Sequence, residues 1–308
     1  MRRYDAELLA SREAMVKIEP DELESHRIAT REAMQRFVRD SNDSVESKVV
    51  TLPAEGGSLP VRVHSPRTDV TGGLLWLHGG AFSLGDPHMD DDICQDIAAR
   101  HRLLVVAPAY RLAPEHPFPA AELDCQFALD WLQRRVVESV AGGESRLVIA
   151  GASAGGALAL RTALQAIAGG VEIDRLLLAY PVVDPHQSSS SMRRYSSAPV
   201  FDAGQAKLMW HRYLAGGSGD SWPSPLQDTR LRLLPLTLVL LAEHDPLRDE
   251  GLDLVKALLN SGVSVHARLA AGTYHAYDRF APDSLAAEHF RRDMDEFLSQ
   301  PRLVAANW

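Results

Sequence analysis

An α/β fold with a mostly parallel, eight-stranded sheet and helices on both faces is what this chain predicts, on three observations. Six short apolar runs alternate with helical segments, which is the texture of a parallel sheet buried on both sides. A pair of alternating stretches precedes them, and one run passes through a glycine-rich turn straight into an apolar helix. In order, residues 4 to 38 place Leu8, Leu9, Met15, Ile18, Ile28, Met34, Phe37 and Val38 at helical spacing among charges, up to the polar break at residues 40–44. Val45 to Leu52 and Leu59 to His64 flank Gly56-Gly57, the pattern of an antiparallel hairpin. The apolar runs follow at 74–77, 103–107, 147–150, 176–179, 236–241 and 263–269, with helices expected near 90–100, 120–138, 154–168, 249–260 and 284–299. Residues 185 to 225 break the alternation. They mix a serine run with Met192, Tyr195, Phe201, Met209, Trp210, Tyr213 and Trp222, and read as an inserted lid whose aromatic residues form its own core or line an apolar pocket.

The chain's 308 residues, 45% of them hydrophobic, suffice for one large core or two smaller ones. A net charge of −9, with the basic residues dispersed, argues against a nucleic-acid partner. Arg134-Arg135 and Arg193-Arg194 read as solvated faces. Cys94 and Cys125 fall in separate expected helices and read as buried thiols, so a cytoplasmic location is expected. The first residues carry charge rather than an apolar signal core, and no apolar run reaches spanning length, so neither secretion nor a membrane span is expected.

The chemistry gathers where ligands do in such sheets, just past the carboxyl ends of the strands. Residues 148–156 form a G-x-S-x-G box between a strand and a helix, where a sharp turn lifts Ser153 toward a cleft. Gly151 and Gly155 permit the close strand-to-helix approach, and the N–H of Ala154 lies at the helix start, where negative charge is favoured. Three more polar segments end strands: His78-Gly79-Gly80-Ala81-Phe82, Glu243-His244-Asp245-Pro246, and Gly272-Thr273-Tyr274-His275. Together with the serine they supply nucleophile, acid, base and oxyanion donors. The order Ser153, Asp245, His275 is the one expected of a hydrolase sheet. Asp249 and Glu250 read as first-turn residues complementing a helix dipole, and Asp278 lies too near His275 to serve as the acid. His88 with Asp90-Asp91-Asp92 could suggest a metal site, but the acids precede a helix and read as serving its N-terminus. His78 reads as a brace for the glycine loop, and residues 110–120 as a structural connection.

These residues together resemble the hormone-sensitive-lipase-like branch of the α/β-hydrolases, also called bacterial esterase family IV. The matches are His78-Gly79-Gly80, residues 110–115 with Phe118-Pro119-Ala120, residues 151–156, residues 245–251 and His275, spread over most of the chain. The resemblance implies a Ser153–His275–Asp245 triad, an oxyanion hole of Gly79, Gly80 and Ala154 amides, and a cap made of residues 1–44 plus the insertion at about 185–225, on a catalytic domain spanning 45–308. The expected activity is hydrolysis of small to medium acyl esters, with no metal or organic cofactor. The same triad in acyl transfer, amide cleavage or elimination is one alternative, and a noncatalytic small-molecule receptor another. If His275 acts as a base, activity rises through mildly acid pH and levels off. Three alanines depart from the usual pattern: Ala81 for a third glycine, Ala152 for an aspartate before the nucleophile, and Ala109 for an aspartate before the tyrosine. Ala81 is compatible with the loop if its backbone angles are ordinary. The strand at 263–269 is expected at a sheet edge, where a second copy could pair to form a homodimer.

Overall fold

The computed structural model describes residues 4–10, 22–35, 42–54, 57–140 and 146–301. Strands β1 (Val45–Ala54), β2 (Gly57–Pro66), β3 (Gly72–Leu77), β4 (Leu103–Pro108), β5 (Arg146–Ala152), β6 (Arg175–Ala179), β7 (Leu236–Ala242) and β8 (Val265–Ala270) form one sheet in the order β1-β2-β4-β3-β5-β6-β7-β8. β2 pairs antiparallel with β1 and β4, and all other pairings are parallel. The hairpin, the parallel run and β8 at the edge all match expectation.

Both faces are covered because alternate residues of a strand point to opposite sides. On β3, Leu75 and Leu77 join Leu129 and Leu132 of α4 (Ala120–Ser139), Ala157 and Leu160 of α5 (Ala154–Ala168), and Leu254 and Leu258 of α8 (Arg248–Asn260). Leu74 and Trp76 face the other way, into Ile93 and Ile97 of α3 (Asp91–His101) and Phe290, Met294 and Phe297 of α10 (Leu285–Ser299). Cys94 and Cys125 are buried free thiols.

His64 on β2 is fully buried, its Nδ1 2.8 Å from Ser47 Oγ and its Nε2 3.4 Å from Asp91 Oδ1. Burial lowers its pKa from 6.5 to about 4, against the pull of Asp91. The unfolded chain therefore binds the extra proton more readily, so the stability this neutral ring permits is intact above about 6.5 and is lost as pH falls toward about 4. The expected loss is about 3 kcal/mol. Urea unfolding at pH 7 and 4.5 should show a smaller acid loss in His64→Gln than in the parent chain. Equal losses in both would refute this origin.

Two regions sit over the carboxyl ends of the strands. The expected N-terminal helical segment is observed as α1 (Ala6–Ala10) and α2 (Leu23–Gln35); Met15, Ile18, Phe37 and Val38 lie outside the described residues. Arg27 on α2 forks onto Glu115 with two 2.8 Å bonds and donates further to the carbonyls of Ser83 and Ala113. The segment at 185–225 carries α6 (Ser190–Arg194) and α7 (Ala203–Tyr213). Met192, Tyr195, Met209, Trp210, Tyr213 and Trp222 are buried, with Tyr213 stacked on Phe82 at 3.8 Å and Trp210 5.0 Å from Trp222. Most of its aromatic residues thus form core, and Val200 and Phe201 line the central cavity. Asp249 and Glu250 lie in the first turn of α8 as expected, but they also tether this region. Asp249 accepts from Ser191 N–H within it at 2.7 Å, and Glu250 from Val183 N–H, just before it, at 2.6 Å.

Candidate active site

β5 runs into α5 with one residue between them, and that residue is Ser153, at φ 56° and ψ −119°. A non-glycine residue at positive φ is strained, and the strain persists where surroundings over-determine it. Here they do: Ser153 N–H donates to Ala179 O at 2.9 Å, while its carbonyl accepts from Gly156, Ala157 and Val182. The turn also demands its glycines. A Cβ on Gly151 would lie 2.2 Å from Gly155 O, and one on Gly155 would lie 2.0 Å from Leu77 O.

His275 and Asp245 reach this serine from separate loops. The loop after β8 brings His275 Nε2 to 2.8 Å from Ser153 Oγ, and the loop after β7 brings Asp245 Oδ2 to 2.7 Å from His275 Nδ1. An ionised carboxylate only accepts, so Nδ1 carries the proton, Nε2 is the acceptor, and the serine hydroxyl donates to it. Leu247 N–H holds the other oxygen, Asp245 Oδ1, at 2.9 Å. Tyr180 packs edge-on against the imidazole at 4.8 Å and Phe201 lies 5.0 Å from it, so the ring sits in apolar surroundings. The loops themselves are fastened: His244 N–H donates to Thr273 O, and Gly272 N–H to Glu243 Oε2.

The glycine loop lies beside the elbow. A Cβ on Gly79 would sit 3.5 Å from Ser153 Cβ, and Gly80 at φ 120° turns its carbonyl to accept from Ser83 and Leu84. Ala154 is the first residue of α5, so its N–H is among those a helix leaves without an internal acceptor. His78 is the expected brace. Its ring stacks on Tyr110 at 4.2 Å, Nδ1–H donates to Gly79 O at 2.6 Å, and Tyr110 O–H donates to His78 O at 2.7 Å; burial lowers its pKa, which favours the neutral ring. The expectation for Ala81 needs correction, because its angles are not ordinary: φ is 52°, and Phe82 follows at 55°. Each carries a left-handed penalty of about 1–2 kcal/mol. Ala81, Phe82 and the neighbouring Tyr110 are all buried, so packing holds the turn that glycine freedom otherwise permits. The connection at 110–120 is structural as expected, with Arg111 paired to Asp124 at 2.9 Å.

A cavity of about 130 Å³ opens at Ser153 and His275, lined by Gly79, Gly80, Ala81 and Ala152 near the serine and by Trp76, Ile93, Val200, Phe201 and Phe290 further off; Thr30 of α2 closes it. One part of its wall was not foreseen. Asp90, Tyr180, Asp278 and Arg279 also line it. Tyr180 O–H donates to Asp278 Oδ1 at 2.8 Å, and the Trp76 indole N–H to Asp90 Oδ2 at 2.8 Å. Asp90, expected to serve a helix N-terminus, is the residue preceding α3 but makes no capping bond; Asp91 and Asp92 pair with Arg62 and Arg279. Asp278 stays outside the Asp245–His275–Ser153 chain, as expected, yet lies in the same cavity. Tyr180 directly follows the apolar run 176–179, so the rule of inspecting strand ends could have found it. Nothing local marks the others.

The description "alpha/beta hydrolase fold" fits residues 74–279 of the chain. Esterase LipI of Mycobacterium tuberculosis is 34% identical over 77% of this chain and 77% of its own length. Carboxylesterase NlhH of the same species is 35% identical over 72% of each. Among solved structures, a bacterial heroin esterase superposes with a TM-score of 0.90 at 28% identity, covering 96% of this chain and 97% of that one.

Proposed function

The chain belongs to the α/β-hydrolase fold family, as one of its hormone-sensitive-lipase-like carboxylesterases, and from that premise we propose that it hydrolyses small to medium acyl esters with Ser153 as nucleophile, His275 as base and Asp245 as its orienting acid. One observation carries this assignment: an unbroken hydrogen-bonded chain from Asp245 through His275 to Ser153 at the mouth of an apolar cavity.

In this reading His275 takes the Ser153 proton as Oγ attacks the ester carbonyl. Negative charge develops on the carbonyl oxygen. The amides of Gly79, Gly80 and Ala154 stabilise it, being fixed beforehand by the brace at His78 and by the helix start. The imidazolium then returns its proton to the departing alcohol, and water repeats the sequence on the acyl-enzyme. Asp245 holds the tautomer and stabilises the imidazolium throughout. Residues 1–44 and 185–225 act as a cap, supported by Thr30, Val200 and Phe201 in the cavity wall. The hydrogen bond between His275 and Ser153 weighs against a receptor role, which needs no activated hydroxyl.

No described helix is long and apolar enough to cross a membrane. We place the protein in the cytoplasm, a reading supported by two free buried thiols and tested by fractionating cells that express it. A second copy would pair along β8, the edge strand whose residues are partly exposed, and sedimentation velocity would then give twice the chain mass.

The activity is tested with p-nitrophenyl esters from acetate to decanoate. kcat/KM should be highest for the short and medium chains, fall at decanoate and be indifferent to chelator. Release no faster than in buffer alone would overturn the assignment.

A further inference from the structure

We infer that the catalytic cavity selects esters whose alcohol carries a hydrogen-bond donor, foremost a protonated amine, and that Asp278 with Asp90 is the recognising wall. This rests on the ester hydrolysis proposed above and names the substrate class for it. The reaction uses Ser153, His275, Asp245 and three backbone amides. It makes no use of Asp90 or Asp278, although both line the same cavity and are 6% and 4% exposed.

Buried carboxylates are costly unless answered by charge or by several donors. A single guanidinium answers three of them here. Arg279 donates through one nitrogen to both oxygens of Asp92, at 2.9 and 3.2 Å, while its Nε stands 3.5 Å from Asp90 Oδ1. The same cation is drawn to Asp90, Asp92 and Asp278, so one positive charge is shared among three carboxylates. The Trp76 indole and the Tyr180 hydroxyl, both neutral, donate to Asp90 and Asp278 in the wall. With all three carboxylates ionised, the cluster carries two more negative charges than positive. A wholly apolar ester would leave that surplus facing hydrocarbon, whereas an ammonium group on the substrate would meet it. Asp90 and Asp278 also satisfy the buried Trp76 indole and Tyr180 hydroxyl, but neutral donors do not cancel a carboxylate's charge.

Burial raises the Asp278 pKa to about 6. The groups around it are Tyr180 after β6, Asp90 before α3, and Tyr277, Arg279 and His275 on its own segment. Its charge is therefore present above about 6 and lost below it, so the preference for a cationic ester should rise as pH increases through that value.

The test compares 2-(dimethylamino)ethyl acetate with 3-methylbutyl acetate, which match in shape but differ in a protonated nitrogen. Desolvating an ammonium in an apolar cavity would favour the hydrocarbon ester strongly. The parent enzyme should instead give a kcat/KM for the amine ester at least equal to that of its isostere at pH 7.5. Asp278→Asn, which keeps an acceptor for Tyr180, should lower the amine ester by about tenfold, mainly through KM, leave the isostere within about threefold, and flatten the pH dependence of the ratio. Any parent preference for the hydrocarbon ester at pH 7.5 would overturn the inference without recourse to any variant, and so would equal losses on both esters in Asp278→Asn. Failure to hydrolyse either ester would count against the esterase assignment itself.

Discussion

Replacing Ser153 with alanine should lower kcat on p-nitrophenyl butyrate by about 10⁶-fold, the scale seen when another serine hydrolase loses its nucleophile. The remaining rate would come from oxyanion stabilisation and substrate positioning, which alanine leaves in place. The fold should be indifferent to the change. Ser153 keeps its place through backbone bonds to Ala179, Gly156, Ala157 and Val182, none of which involves the hydroxyl. The thermal midpoint should therefore move by no more than about 2 °C, a shift under about 1 kcal/mol. A variant retaining a tenth of the parental rate would mean that another group performs the attack.

Gly155→Ala tests the elbow from the opposite side, through stability. The added carbon would sit 2.0 Å from Leu77 O, 2.4 Å from His78 O and 2.6 Å from Leu77 C, all backbone atoms that no rotamer change can move. Either α5 or the end of β3 must shift. Overpacking of this kind costs about 3 kcal/mol or more, and the midpoint should drop by roughly 6–12 °C. The folded fraction should suffer too. The displaced carbonyls belong to the segment leading into Gly79 and Gly80, and a misplacement of about 1 Å near reacting groups costs about 10²-fold. A midpoint within about 2 °C of the parent would show that the elbow tolerates a wider strand-to-helix gap.

Some of this was legible residue by residue. Ser153, Asp245 and His275 each follow an apolar run within a few positions, and a parallel sheet brings all its strand ends to one edge, so linear position alone predicted convergence. The glycines at 151 and 155 were readable because a missing side chain signals close approach. The Asp90–Asp278 wall was not. Asp90 sits in a run of three acids indistinguishable from helix-start decoration, and Asp278 looks like one more polar residue after the histidine. Their common cavity exists only once α3 and the loop after β8 are packed on the same face of β3. Ala81 misled for a related reason: φ is a property of the folded turn, and alanine carries no mark of having been forced into it. Arg27 was equally silent, one charge among many on a helix until Glu115 arrives from 88 residues away.

That fork has an engineering corollary. α2 is held through Arg27 to Glu115 and Ala113 of the connection and to Ser83 beside the glycine loop, and it contributes Thr30 as a panel of the chamber. The amino-terminal piece is keyed to the loops beneath it: Asp5 N–H donates to Gly272 O, and Tyr4 packs edge-on against His244. Grafting the corresponding piece of a relative should therefore carry over both the arginine opposite Glu115 and the contacts to Gly272 and His244, or the loops holding Asp245 and His275 will shift with it.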